Sequence, residues 1–241
     1  MSKVFIGVGH GGSDPGATGN GFQEKDLNLS IALACRDALA SSGVDVEISR
    51  EADITSSLEE RIRQCNSFAP DLALDIHNNA GGGDGAEVYH HYAGGTGKTL
   101  AENILSEITA IGQNSRGAKI KLNSAGKDYF GFIRQTAAPA VIVECAFVDN
   151  AADIQIVDTA DKQKQMGQAI ARGVLKTLGI PYLGDVNGDG QVNAADALLA
   201  LQDSVKLTEL SGEQKDKADM NNDGRVDAAD ALEILQKSVG R

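Results

Sequence analysis

Apolar residues along this chain recur at two spacings in turn. Val4-Phe5-Ile6-Gly7-Val8 is a short, β-branched run, which predicts a buried strand. A loop rich in Gly, Ser, Asp, Pro and Asn follows it. Then Leu27, Ile31, Leu33, Ala34, Ala38 and Leu39 fall at helical spacing, predicting a helix over 24–41 that Ser42-Gly43 stops. The same alternation predicts a strand over 44–49, a helix over 57–68 and a strand over 71–76. Next come a strand over 85–92 and a helix over 97–111 with Leu100, Ile104, Leu105 and Ile108 on one face. A loop-rich region to Thr136, a buried strand over 140–143 and a closing helix over 162–178 complete the pattern. Strands alternating with helices predict an α/β fold: a twisted, largely parallel sheet with helices on both faces.

Past Gly184 the pattern becomes a repeat. Gly184–Val205 and Ala218–Val239 are one sequence written twice at an offset of 34 residues. Each copy opens on a twelve-residue loop with calcium-ligand spacing. The first offers Asp185, Asn187, Asp189, Gln191, Asn193 and Asp196; the second Asp219, Asn221, Asp223, Arg225, Asp227 and Asp230. Gln191 and Arg225 stand where the backbone carbonyl ligates, and Gly190 and Gly224 sit at the sharp sixth-position turn. An Asp at the twelfth position reaches less far than the usual Glu. Each loop leads into a helix, 194–205 or 228–239, and neither is expected to have a proper helix in front. The chain is therefore divided into a front domain over 1–180, a linker over 181–184 and an all-α module with two structural calcium ions over 185–241.

Charge sharpens that division. The net charge is −12, and Gly184–Arg241 holds twelve acidic and six basic residues, which is half of the excess. Such a balance argues against nucleic acid or an anionic membrane surface as a partner. No apolar run is long enough to insert into a bilayer. Lys3 enters a strand with no signal peptide before it, so the expectation is cytoplasmic synthesis with holin-type release, or secretion with the leader removed. Cys35, Cys65 and Cys145 are odd in number and fall on core positions, which argues against a disulfide framework.

Candidate chemistry gathers at predicted strand ends. In open parallel sheets ligands bind beyond the carboxyl ends of the strands. His10, His77 and Glu144 each end a predicted strand, and Glu24 opens the helix after the first loop. Two histidines and two carboxylates converging there are the donor set of a catalytic zinc with a carboxylate base. Two phosphate-binding patterns fail on spacing. Gly7-x-Gly9-x-x-Gly12 lacks a helix opening at once, and the Gly97-Lys98-Thr99 turn has Tyr92 where the phosphate loop needs glycine. His90 and His91 are expected at the surface, Cys145 as a buried thiol, and Tyr129, Phe130 and Phe132 mainly as packing.

Four blocks carry a family resemblance: His10-Gly11-Gly12-x-Asp14-x-Gly16-Ala17, Glu24–Leu29, Asp75–Ala80 and Val143–Phe147. Over roughly residues 3–180 they resemble the zinc-dependent N-acetylmuramoyl-L-alanine amidases (amidase type 3). The resemblance implies one catalytic Zn2+ held by His10, Glu24 and His77, with Glu144 as the base that activates water. It implies peptidoglycan as substrate, cut between the lactyl group of N-acetylmuramic acid and L-alanine, and action on the bacterial cell wall. Asp75, where the family usually has serine, is expected to pair with a neighbour. A zinc peptidase of stem peptides and a non-catalytic wall-binding protein are the competing functions.

The duplicated module resembles a type I dockerin. That implies docking onto a cohesin-type protein, with self-association as the alternative. The residues at loop positions 10 and 11, Ala194 and Ala195 in one copy and Ala228 and Ala229 in the other, would help choose the partner.

Overall fold

The computed structural model describes residues 1–239 and falls into two compact units, Met1–Leu178 and the residues from Gly179 onward. The last two positions of the module expected over 185–241 lie outside the described residues.

The first unit contains β1 (Lys3–Val8), β2 (Thr18–Gly19), β3 (Phe22–Gln23), α1 (Glu24–Ala40), β4 (Asp45–Ile48) and α2 (Leu58–Phe68). It continues with β5 (Leu72–Asn79), β6 (Ala86–His90), α3 (Thr96–Ala110), β7 (Ser115–Lys119), α4 (Gly131–Gln135), β8 (Ala140–Phe147) and α5 (Ala160–Leu178). Six strands form one sheet in the order β4-β1-β5-β8-β6-β7, parallel throughout except where β6 meets β8. Helices α1, α3 and α5 cover one face, and α2 and α4 the other. Period-two alternation divides the strands between these faces. Phe5, Ala73, Ala140 and Ile142 pack with Ile62, Cys65, Phe132 and Ile133 on the α2/α4 side. Their neighbours Val4, Ile6, Leu74, Ile76, Val141 and Val143 are buried on the opposite side. This is the expected α/β class.

Several elements differ from their sequence patterns. β5 and β8 run past His77 and Glu144 to Asn79 and Phe147, so these two side chains stand within strands and do not end them. Polar Asn78 and Asn79 hid the continuation. The region read as loop contains β7 and α4; β7 (SRGAK) is an edge strand with no apolar alternation to reveal it. Within the first loop, β2 and β3 pair antiparallel around Asn20-Gly21, both at positive φ, a tight-hairpin signal in the sequence. His90 is buried at 7% exposure instead of lying at the surface, because β6 is an interior strand and α3 covers the face it shares with Val88. All three cysteines are free and buried.

The second unit has α6 (Ala194–Ser204), α7 (Gly212–Ala218) and α8 (Ala228–Ser238) around Val186, Ala197, Ala200, Leu210, Ala218, Ala231 and Ile234. α7 corrects the expectation that neither loop has a helix in front: it ends directly before Asp219, started by a Ser211–Gln214 capping box. Its sequence, GEQKDKA, has too few apolar residues to show a period. Residues 181–184, expected as a linker, are tied into this unit, with Tyr182 buried and the Gly184 N–H donating to the Lys217 carbonyl.

Candidate active site

The site is built from the loop after β1 and from the α2/α4 face of β5 and β8. His10 sits two residues beyond β1 at φ +61°, a turn that leads the chain back towards the start of α1. Gly16, at φ +65°, allows the close return: a Cβ there would lie 2.5 Å from Glu24 Oε2 and 2.7 Å from His10 Cδ2. The two glycines of the failed dinucleotide pattern have a different use. A Cβ on Gly9 would lie 2.2 Å from the His77 ring, and one on Gly7 would lie 2.4 Å from Asp75 Oδ1. β1 is thus bare where its neighbour's functional side chains cross it.

Glu24 is the centre of this arrangement and is 4% exposed. Its Oε1 lies 2.9 Å from His77 Nδ1 and accepts from the Asn78 N–H at 3.2 Å and Asn28 Nδ2 at 3.3 Å. Its Oε2 lies 3.2 Å from His10 Nε2 and accepts from the Ala17 N–H at 2.8 Å. Donor atoms of His10, Glu24 and His77 all fall within 4.8 Å of one another. Each histidine turns its second nitrogen to another carboxylate: His10 Nδ1 to Asp14 Oδ2 at 2.8 Å, and His77 Nε2 to Asp75 Oδ2 at 3.4 Å. Carboxylates behind histidines fix the tautomer and ring orientation that metal ligation needs. Three converging donors with that backing fit a zinc ion.

Electrostatics follow from the packing. Burial works against the Glu24 anion, but the His10 and His77 bonds hold its pKa well below the usual carboxylate range. The Glu24 hydrogen bond raises His10. Burial opposes the charged form of His77, yet the Asp75 and Glu24 carboxylates raise its pKa well above the usual value. Asp75 is shared with Arg61, whose Nε lies 3.4 Å from Asp75 Oδ1, so it does pair with a neighbour.

Glu144 stands beside this cluster as the register partner of His77 across β5 and β8. Burial pushes its pKa up to about 7; the charge of His77 opposes this, while Glu24, Glu87 and Asp75 add to it. Its Oε2 is buried with no hydrogen-bond partner. Cys145 faces away, and burial raises its thiol well above the usual range. His91 lies apart, 3.1 Å from Asp128 through Nε2. Phe132 is fully buried, whereas Tyr129 is 53% exposed.

Two supporting residues had no role assigned from the sequence. Asn28 stands four positions after Glu24, on the same side of α1, and donates to both Glu24 and the Gly9 carbonyl. Asp14 stands in the first of the resembling blocks, without a role assigned to it. Helical spacing could have found the first, and membership of the block that begins at His10 the second.

In the second unit the two loops share one internal pattern. Asp185 Oδ2 accepts from the Gly190 N–H as Asp219 Oδ2 does from Gly224, and Asp189 and Asp223 accept from Gln191 and Arg225. Asn193 and Asp227 cap α6 and α8, with Asp196 and Asp230 completing capping boxes. Asn187 and Asn221 accept from the N–H groups of Asp189 and Asp223. Asp185 is 3% exposed, its Oδ1 has no partner, and burial followed by the Asp196 charge raises its pKa. A buried, unpaired carboxylate oxygen in a ring of oxygens fits a calcium ion. Ala194, Ala195, Ala228 and Ala229 are exposed.

Fold and site together define an α/β sheet domain with a two-histidine, one-carboxylate cluster able to hold a cation and a half-buried carboxylate beside it. The family model described as N-acetylmuramoyl-L-alanine amidase matches residues 4–176, and that of the dockerin type I domain matches residues 183–237. The chain belongs to the N-acetylmuramoyl-L-alanine amidase family and carries a dockerin type I domain behind the sheet domain. The N-acetylmuramoyl-L-alanine amidase CwlM of Bacillus licheniformis is 41% identical over 177 residues, covering 72% of this chain and 66% of the relative. The sporulation-specific N-acetylmuramoyl-L-alanine amidase of Bacillus subtilis is 39% identical over 178 residues, 72% of this chain and 67% of its own. Among solved structures, Cwp6 from Clostridium difficile matches with a TM-score of 0.72 and 41% identity over 73% of this chain and 29% of that one. The match thus spans about two thirds of these curated relatives and less of Cwp6.

Proposed function

We propose that this protein is a zinc-dependent N-acetylmuramoyl-L-alanine amidase acting on peptidoglycan of the bacterial cell wall. The observation that carries this is the gathering of His10, Glu24 and His77 within 4.8 Å, with Glu144 as the register partner of His77. His10, Glu24 and His77 would hold the ion, with Asp14 and Asp75 keeping the imidazoles oriented. Bound there, zinc supplies Lewis acidity, polarising an amide carbonyl and making a water acidic enough to lose its proton near neutral pH.

The chain's own contribution to the proton transfers is Glu144. A carboxyl group with a pKa of about 7 is poised between base and acid at neutral pH. It takes the proton of the attacking water and delivers it to the leaving amine.

The second unit acts as a calcium-folded docking module for a cohesin-type protein or a second copy of the chain. Supporting this, Leu198, Leu201 and Val205 on or just past α6 are exposed, and so are Leu232, Leu235 and Val239 at the equivalent positions of α8. The apolar stripe occurs twice, with the 34-residue offset of the loops.

Mass spectrometry of digested peptidoglycan tests the reading. Expected products are glycan with a free lactyl carboxylate and stem peptides beginning with a free L-alanine amine. New amines on other stem residues would instead identify a peptidase, and intact peptidoglycan would leave a wall-binding role.

A further inference from the structure

The face that carries His77 and Glu144 holds another buried acid, Glu87 on β6, which is 4% exposed. Glu87 is the register partner of Glu144 across β6 and β8. Both side chains therefore rise from the same face, one strand spacing of roughly 4.8 Å apart. Glu87 Oε1 accepts from the Tyr89 hydroxyl and from Asn79 Nδ2, each at 2.8 Å. Its Oε2 accepts from Arg116 Nε at 2.9 Å and from Lys119 Nζ. Four donors fill the acceptor sites of a carboxylate. Burial opposes the anion, but the Lys119 and Arg116 bonds hold its pKa below the usual range.

Two cations on one anion leave a surplus positive charge. Arg116 and Lys119 come from β7, the edge strand, and their side chains are 38% and 31% exposed. Arg116 is also braced over the Phe147 ring at 5.0 Å. In the rest of the site Glu24, Asp75 and Asp14 are already paired with His10, His77 and Arg61, on a chain of net charge −12. Arg116 and Lys119 start two strands from Glu144 and reach back to Glu87, one strand from it, with part of each side chain left exposed.

We propose that Arg116 and Lys119, held in place by Glu87, bind a carboxylate of the substrate peptide and make the enzyme select acidic stems over amidated ones. This rests on the amidase reading above. Glu87 lies one strand from Glu144, and an extended peptide advances about 3.3–3.6 Å per residue. The carboxylate is therefore placed one to two residues beyond the scissile amide, and we assign it to the α-carboxylate of the second stem residue. Arg116 offers its exposed guanidinium edge and Lys119 a point charge, the usual pairing for a carboxylate. Glu87 is a positioning residue.

The test compares two muramoyl peptides that differ only at the second residue: D-glutamate with a free α-carboxylate, or the same residue amidated. The zinc-loaded full chain should prefer the acid roughly ten-fold in kcat/KM, the scale of one charge-assisted hydrogen bond. The preference should lie in KM and shrink as salt is raised. Lys119→Gln, which keeps a donor to Glu87 without the charge, should bring the ratio near one, while Lys119→Arg should retain it. Equal hydrolysis by the wild type, or an unchanged ratio in both Lys119→Gln and Arg116→Gln, would overturn the proposal. Binding titrations of both peptides to Glu144→Ala protein separate the site from the reaction. If neither peptide is cleaved but the acid binds tighter, and Lys119→Gln abolishes the difference, the carboxylate site stands and the amidase reading fails. Equal binding of the two peptides overturns the site.

Discussion

His77 and Glu144 are register partners on adjacent parallel strands, and both hold their protons more tightly in the folded protein than in an unfolded chain. For His77 the cause is the surrounding carboxylates, which outweigh burial; for Glu144 it is chiefly burial. Under the proposed function, His77 would exchange its proton for the cation and Glu144 would move one.

A pH dependence follows, with a definite sign. A group whose folded pKa is raised contributes stability that is complete below its unfolded pKa and is lost as pH rises through the folded value. His10, His77 and Glu144 are all raised, Glu144 from 4.5 to about 7. The zinc-free sheet domain should therefore lose stability as pH climbs from about 5 through neutrality. Zinc binds the deprotonated ligands, so its affinity should rise over the same window. Calorimetry of the full chain with and without a zinc-selective chelator, calcium present throughout, should show the Tm gap of the first unit widening by several degrees between pH 5.5 and 8. A gap that narrows with rising pH would count against the assigned ligands.

The sheet was legible because its apolar runs are nearly uninterrupted: Val4–Val8 and Ala140–Val143 could only be buried strands. His10, Glu24, His77 and Glu144 could be picked out because each is a polar, chemically competent residue beside such a run. The limits are also physical. Polar Asn78 and Asn79 masked the end of β5, and in β8 the single Glu144 made an apolar run that continues as Cys145-Ala146-Phe147 look finished. Glu87 looks like any solvated strand acid until β6 pairs with β7 and brings Arg116 and Lys119 to it. His90 read as exposed because the cover over it, α3, comes from a different stretch of sequence. In each case the missing information is a partner brought by folding.

Calcium should govern the second unit alone. Its small core of Val186, Ala197, Ala200, Leu210, Ala218, Ala231 and Ile234 is the apolar support available to two acidic loops. Buried Asp185 and Asp196 repel each other while the loops are empty, and burial already raises the Asp185 pKa. Ion binding would replace repulsion with coordination, so its free energy becomes folding free energy. Calcium-stripped, zinc-loaded full chain should lack the helical signal of α6, α7 and α8 in circular dichroism and regain it on titration with calcium. Amidase turnover on a soluble muramoyl peptide should be unaffected by that titration. A fully helical second unit in the absence of calcium would contradict this.

The division of labour between His77 and Glu144 is tested most directly by measuring zinc content and turnover together in His77→Ala and Glu144→Ala. Glu144→Ala removes the base and no ligand, so it should keep about one zinc per chain while turnover falls by roughly 10²–10⁴-fold. His77→Ala removes a ligand and should lose both metal and turnover. Zinc lost from Glu144→Ala but retained by His77→Ala would contradict the account.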